Sequence, residues 1–356
     1  MKILSLFDGI SIAQQAFKEL GEVEYYASEI DKNAIQITQK NHPNTRQLGD
    51  IKDMDCTGGK LHYGRGKLAE TDIYFLCGGS PCQDLSIAKK NREGLDGKRS
   101  GLFWEYVRIL KELKPKYFVL ENVASMSKES KQTITDTLWG IEPVMINAAF
   151  VSAQNRKRLF WIGELVDKRH IGHWDSADYI KVEISQPEDK GILLRDVLEG
   201  NNENVKACSL RGRYTIEGKR KDIKGAKTQQ RLEIGGDKAN TITSVTKDSL
   251  VFIGGIGKKD WVGDGKYFSR NYPQGQRVYS PEGKTPTLSA NGGGLGAKTG
   301  LYEIDGDIRK LTPIECERLQ CLPDNYTEGI SNTQRYKTLG NGFNCAVIKH
   351  ILENIL

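Results

Sequence analysis

"KILSLFDGIS", residues 2–11, decides the architecture. It opens with an apolar run of strand length, and Asp8 and Gly9 then break that run. The continuation "SIAQQAFKELG" (11–21) carries apolar residues at 12, 13, 16, 17 and 20. That is the spacing of one face of a helix, and Gly21 stands where a helix C-terminal glycine belongs. "LFDGIS" is therefore a strand-to-helix turn. In a parallel sheet such turns lie at the carboxyl ends of the strands, where nucleotide-like ligands bind.

The same alternation continues to about residue 165. Apolar strands are expected at 2–7, 23–28, 73–78, 117–122, 143–148 and 158–163. Helical patterns separate several of them, in "NAIQITQKN" and "GLFWEYVRILKEL". Strands and helices in this order predict an α/β fold, a doubly wound and mostly parallel sheet covered on both faces. Beyond Asp167 the character changes. Residues 235–306 hold 15 glycines and scattered strand-like pieces such as "NTITSV" and "TPTLSA". Helical character returns in "TPIECERLQCL", with Thr312 as N-cap, Pro313 next and Glu315 three residues after the cap. It returns again in "FNCAVIKHILENIL". The domains expected are a catalytic and cofactor-binding domain over 1–170, a smaller irregular β-rich domain over 171–326, and a segment 327–356 that packs back on the first.

Composition narrows the function classes. The longest apolar runs are far too short for a membrane span, and "MKILSLFDG" reads as a first strand, not a signal peptide, so a cytoplasmic protein is expected. The seven cysteines form no C-x-x-C pair; neither a disulfide framework nor a metal site is expected. The net charge is +6, and its location is informative. Val205 to Arg231 contains nine Lys/Arg against Glu217 and Asp222, a local +7. A basic concentration of this kind, including Arg211, Arg213, Lys219, Arg220 and Lys221, is the electrostatic footprint of a phosphate-backbone partner. A solvated basic loop is the plainer alternative.

Four constellations carry chemistry. The "LFDGIS" turn is followed by "ASEID", where Glu29 ends the next strand and can accept hydrogen bonds from ribose hydroxyls. In "LGDIKDM", Asp50 and Ile51 can flank an adenine, so the three together suggest an adenosine-type cofactor. "GGSPCQDLSIA" (78–88) presents Cys82 at a strand end, behind two glycines and a proline that fixes the backbone. A thiolate nucleophile needs that fixed, exposed position; a buried small hydrophobe is the competing reading. The basic stretch that follows, 89–99, reads as a loop able to close over a phosphate-bearing substrate. Glu121 in "VLENVAS" ends an apolar strand, where an apolar setting would keep it protonated and able to donate to a ring nitrogen; an N-cap or an ion pair is the alternative. Gln154, Arg156 and Arg158 alternate into a strand, which would place them on one face. A thiol, a carboxylic acid, arginines and an adenosine-type cofactor fit one reaction: addition of the thiolate to C6 of cytosine, methylation at C5, then elimination.

These residues resemble the cytosine-5 DNA methyltransferases, which use S-adenosyl-L-methionine. The matching blocks, in the family's order, are "LFDGIS", "ASEID", "GDI", "GGSPCQDLS", "LENV", "QNRKR", "RKLTPIECERLQCLPDNYT" and "LGNGFNCAVI". They span residues 4 to about 348, and several look closest to the de novo methyltransferase branch with its phage and bacterial relatives. The resemblance implies a Rossmann-like methyltransferase sheet with a small target-recognition domain. It implies Cys82 as nucleophile, Glu121 at the cytosine N3 and amino edge, Arg158 at O2, and Arg156 supporting the nucleophile and a nearby phosphate. The cofactor set it implies is Phe7, Asp8, Gly9, Ile10, Glu29, Ile30, Asp50 and Ile51, joined by Asn341 and Phe343. Ser11 stands where many members have glycine. The implied partner is double-stranded DNA, bound by a monomer, with no metal and no membrane. The target base has to be flipped out to reach Cys82, and the nearby Ser86, Gln154 and the basic residues named above are the expected DNA contacts. Two other readings stay open from sequence: a tRNA cytosine-5 methyltransferase with the same motifs, and a catalytically silent DNA-binding homologue.

Overall fold

The computed structural model describes residues 1–63, 72–80, 101–166, 179–199 and 311–356, with the backbone of 68–70 and of short strands between 208 and 309. Two compact units emerge. The first comprises Met1–Asn147, Lys157–Pro187 and Gly342–Leu356; the second comprises Ala148–Arg156 and Glu188–Asn341.

The first unit is built on β1 (Lys2–Leu6), β2 (Glu24–Ser28), β3 (Arg46–Gln47), a hairpin of β4 (Leu61–Tyr63) and β5 (Leu68–Glu70), β6 (Phe75–Gly79), β7 (Tyr117–Val123) and β8 (Val144–Asn147). Strands β10 (Lys157–Leu165) and β11 (Tyr179–Lys181) complete it. The main sheet runs β11-β10-β7-β6-β1-β2-β3, with β8 also paired to β10. Pairings from β7 to β3 are parallel, and β10 is antiparallel to β7. Successive connections move one way from β1 and the other way from β6. With right-handed crossovers, that reversal places α1 (Ile12–Lys18) and α2 (Lys32–Asn41) on one face of the sheet. It places α3 (Leu102–Leu113) and α4 (Lys128–Thr137) on the other. The gap between β1 and β6 is thus a topological switch point, where ligands of such sheets bind.

Alternation sorts the core between the two faces. Leu4, Leu6, Leu76, Phe118 and Leu120 share one cluster with Phe103, Tyr106 and Leu110 of α3 and Ile134 of α4. On the opposite face Phe17 of α1 meets Phe75 of β6 edge-on, with ring centroids 5.1 Å apart. The C-terminal helix α7 (Cys345–Ile355), capped by Asn344, packs on α1, and Lys349 pairs with Glu19 at 2.6 Å. The six strands expected between residues 2 and 163 form within two residues of their predicted bounds; "NTITSV", beyond Asn240, and "TPTLSA" lie outside the described residues.

In the second unit, β9 (Gln154–Asn155) pairs in parallel with β16 (Ala239–Asn240). β12 (Cys208–Gly212) pairs with β15 (Gln230–Ile234), and β13 (Thr215–Ile216) with β14 (Lys219–Arg220). Strands β17 (Gly254–Gly255), β18 (Arg277–Tyr279), β19 (Leu301–Ile304) and β20 (Asp307–Arg309) form a four-stranded sheet. Helix α5 (Pro313–Leu319) has the full capping box: Thr312 Oγ1 accepts from Glu315 N–H, and the Glu315 carboxylate accepts from Thr312 N–H. Helix α6 (Asn332–Asn341) belongs to this unit too, tied by Gln320 Nε2 donating to the Leu339 carbonyl at 2.6 Å. By compactness α6 groups with α5 in this unit, and Gly342–Leu356 with the first.

Candidate active site

The sequence-derived site residues of the first unit gather along the carboxyl ends of the parallel strands. After β1 the chain turns through Phe7, Gly9 and Ser11, with φ of 57°, 61° and 55°. Left-handed backbone is easy for Gly9 but costly for the other two, so something must hold them. From above, Gly9 N–H donates to Glu29 Oε2 at 2.8 Å. Glu29 Oε1 accepts from the amides of Ile30 and Asp31 at 2.7 and 2.8 Å. From below, Asp8 is buried, and its Oδ1 accepts from the Tyr25 hydroxyl at 2.9 Å. Its Oδ2 accepts from the Ser11 hydroxyl. Ser11 Oγ also lies 2.9 Å from Thr38 Oγ1, on α2. Desolvation pushes the Asp8 carboxyl up to about 6, against the lowering effect of its hydroxyl donors.

The third strand end is built more simply. Ser28 Oγ donates to the Gly49 carbonyl at 2.8 Å, and the Asp50 side chain accepts from Lys52 N–H to cap a short 3₁₀ turn. Of the expected cofactor residues, Ile30 is 69% exposed beside the Glu29 carboxylate. By contrast, the side chains of Asp8, Ile10 and Ile51 are interior, so a ligand could meet only their backbone. A nucleoside fits what remains outside. Glu29 Oε2 keeps a lone pair for a ribose hydroxyl, Ile30 offers an apolar surface, and a Cβ on Gly9 would meet nothing within 4 Å.

On the other side of the switch point the geometry is steric. A Cβ on Gly78 would lie 2.8 Å from the Leu6 carbonyl oxygen. One on Gly79 would lie 2.9 Å from Glu121 Oε2 and 3.1 Å from the Phe343 ring. Gly78 is thus required by the close approach of β1, and a side chain at position 79 would have to displace the Glu121 carboxylate or the Phe343 ring. Next, Ser80 is fixed by Asn122, whose Nδ2 donates to Ser80 Oγ at 3.0 Å; both side chains are buried. Cys82 and Ser86 lie outside the described residues.

Glu121 sits opposite Phe160 in the β7–β10 ladder, and Arg158 sits opposite Val123. Glu121 and Arg158 are therefore diagonal neighbours on one face. Arg158 Nε donates to Glu121 Oε1 at 2.7 Å, with both side chains largely buried. The expected apolar setting of Glu121 is corrected: its partner is a guanidinium, because β10 runs antiparallel and starts at the carboxyl end of β7.

The single face expected for Gln154, Arg156 and Arg158 is not formed either. Arg156 N–H donates to the Gln154 carbonyl at 3.0 Å, a tight turn that separates β9 from β10 and breaks the alternation. Gln154 is fully buried, so a direct DNA contact by its side chain is not available in this conformation. Arg156 is buried and donates to the Gly340 carbonyl at 3.4 Å, near the end of α6, whose last residue is Asn341. Lys219 and Arg220 form β14 and Arg211 lies in β12; Arg213 and Lys221 fall outside the described residues. Among the described residues no group of three metal-ligating side chains occurs, and no helix is long and apolar enough to cross a membrane.

Sequence reasoning missed Tyr25, Thr38, Ser80 and Asn122. Only Asn122, inside "LENV", carried a signal, as a polar residue at an apolar strand end.

Comparison with known proteins gives relatives of one kind. The orphan methyltransferase M.Rho11sI of Bacillus phage rho11s is 32% identical over 96% of this chain and 68% of its own length. The Type II methyltransferase M.HhaI of Haemophilus parahaemolyticus is 28% identical over 100% of this chain and 94% of its own. Among solved structures, the Entamoeba histolytica methyltransferase EhMeth aligns with a TM-score of 0.60 at 14% identity, covering 100% of this chain and 97% of that one. The S. pombe Dnmt2 methyltransferase aligns at 0.55 and 15% identity, covering 99% and 97%; at such identities the shared property is the fold. A family model described as C-5 cytosine-specific DNA methylase matches residues 1–356, and the chain belongs to that family.

Proposed function

We propose that the chain methylates C5 of a cytosine flipped out of double-stranded DNA, with Cys82 as nucleophile and S-adenosyl-L-methionine as methyl donor, and that it acts as a monomer. The observation that carries this reading is the position of Glu121. Its carboxylate lies against Gly79, three residues before Cys82, so close that a methyl group at position 79 would collide with it.

S-adenosyl-L-methionine, when bound, would supply an electrophilic methyl group by breaking its S–CH3 bond and would leave as S-adenosyl-L-homocysteine. The chain's own residues do the rest. The Cys82 thiolate forms the Sγ–C6 bond, and the displaced electron pair is shared between N3 and C5 of the ring. Glu121 holds N3 and the amino edge, and Arg158, which orients Glu121, reaches O2. Once C5 carries the methyl group, a base removes the C5 proton, the Sγ–C6 bond breaks, and the thiolate is regenerated. Glu29, Gly9, Ile30 and Asp50, with Phe7, Asn341 and Phe343, are the residues assigned to the donor. The basic segment with Arg211, Arg213, Lys219, Arg220 and Lys221 is assigned to phosphates, supported by its local charge of +7.

Duplex DNA carrying 5-fluorocytosine tests this directly, because the fluorine blocks the final elimination. A covalent adduct is expected with the wild-type chain and none with Cys82→Ala. An adduct with a matched RNA and none with DNA would overturn the substrate, and no adduct with either would overturn the mechanism.

A further inference from the structure

Arg108 has no task in the chemistry above, yet all three of its guanidinium nitrogens are engaged, and half of its bonds leave its own helix. Nε donates to Glu105 at 2.9 Å and Nη1 to Glu112 at 3.1 Å, one turn before and one turn after it on α3. These two carboxylates fix the plane of the guanidinium. Nη2 donates to two main-chain carbonyls far away in sequence, those of Ile51 at 3.3 Å and Met54 at 3.1 Å. Both carbonyls belong to the 3₁₀ turn Ile51–Asp53 and the residue that ends it. The Ile51 oxygen also accepts from Met54 N–H at 3.3 Å, one bond for each of its lone pairs. At the front of the turn Asp50 Oδ1 accepts from Lys52 N–H at 3.0 Å, which leaves Oδ2 for a ligand. The Ile51 side chain is buried among Phe103, Tyr106 and Val107 of α3. The turn is thus capped in front by Asp50, seated on α3 by Ile51, and pinned behind by Arg108.

We propose that Arg108 is a positioning residue for the cofactor: by fixing the carbonyls of the turn that begins at Asp50, it sets from α3 the affinity for S-adenosyl-L-methionine. This rests on the assignment of Asp50 to the methyl donor. A three-residue turn closes few bonds of its own, and its last carbonyls need partners from outside. Arg108 supplies two of them, and Asp50 is joined directly to Ile51, so a turn that slips at its back moves the carboxylate at its front. The ion pairs with Glu105 and Glu112 are about one-third exposed, and pairs of that kind add little stability. Their use here is to aim Nη2. Lysine could not do the same, because one ammonium on a flexible stem lacks the planar fork that serves two carboxylates and two carbonyls together.

The test is a double-mutant cycle read by calorimetric binding of S-adenosylhomocysteine. Arg108→Met, which keeps the apolar stem, should bind about tenfold more weakly, the scale of one charge-assisted hydrogen bond. Arg108→Lys should fall between it and the wild type. In steady-state assays Arg108→Met should raise the KM for the methyl donor and leave kcat little changed, a split that a general loss of folded protein would not give. In an Asp50→Ala background the carboxylate that Arg108 positions is gone, and Arg108→Met should cost no more than about twofold further. Wild-type affinity in Arg108→Met, or losses that add in full across the cycle, overturns the proposal. If Arg108→Met does not fold, Arg108→Lys carries the same cycle. Wild-type affinity in Asp50→Ala alone overturns the assignment of Asp50 to the cofactor, and this inference with it.

Discussion

The two halves of the sheet, divided at the gap between β1 and β6, hold their strand ends by different physics. On the β1–β2 side the turn is held by many directional bonds: backbone amides on Glu29, hydroxyls on Asp8, and a threonine from α2. On the β6–β7–β10 side it is held by contact: two glycines with no room for a Cβ, one amide clamp on Ser80, and one ion pair. Hydrogen-bonded networks keep their shape while protons move within them. Close-packed strand ends instead transmit any displacement. A site that must fit one cofactor can use the first; a site that must place a sulfur atom needs the second.

The largest predicted effect lies on the packed side. Glu121→Gln keeps the size but removes the carboxylate that pairs with Arg158, and turnover should fall by about 10²–10⁴-fold. Near-equal DNA affinity by filter binding would confirm that the loss is chemical; unchanged turnover would remove Glu121 from the mechanism. Next, Gly79→Ala puts a Cβ 2.9 Å from Glu121 Oε2. A displacement of that kind should cost roughly 10–10²-fold in single-turnover rate at saturating cofactor. Loss of cofactor affinity instead would mean that the two halves are not mechanically separate.

On the bonded side the effects should be smaller and fall on binding. Glu29→Gln replaces an acceptor of three backbone amides and should weaken S-adenosylhomocysteine about tenfold or more, with DNA trapping at saturating cofactor retained.

The smallest effect concerns stability against pH, where two buried groups of this half oppose each other. Burial lowers His42, at the end of α2, to about 4. The unfolded chain therefore binds a proton that the folded chain does not, and between about 4 and 6.5 stability falls as the pH falls. Asp8 is raised from 3.8 to about 6, so the folded chain holds the extra proton and stability falls as the pH rises through that window. Each contributes about 1.4 kcal/mol per pH unit, in opposite directions. Urea melts should be nearly flat for this pair over their shared range. Asp8→Asn should expose the His42 slope, and His42→Gln the Asp8 slope. Equal profiles for wild type and both variants would show that neither group is buried as described.

How much of this was legible depends on the range of the interaction. The parallel sheet was legible because strand and helix periods alternate locally in 2–41 and 101–123. Helix α4 was not, since "KESKQTITDT" is polar and rich in β-branched threonine, and it rests on the Ser127 cap and on Ile134 buried in the core. The positions of Glu29 and Glu121 at strand ends were readable. Their partners were not: Arg158 reaches Glu121 only because β10 is antiparallel, and no spacing rule announces that. The break at Arg156 was invisible for the same reason, as a tight turn mimics strand alternation in sequence. Tyr25 and Thr38 looked like ordinary core residues, and only the fold brings their hydroxyls under the turn.

The packing of α7 on α1 has a consequence in time. Lys349 and Glu19 are 330 residues apart, and at ribosomal speeds that separation is roughly 15–65 s of synthesis. Throughout that interval the helix after β1 has no α7 to cover it, and Gly79 has no Phe343 beside it. The first unit is therefore closed only as Gly342–Leu356 emerges, long after its own first strand and helix.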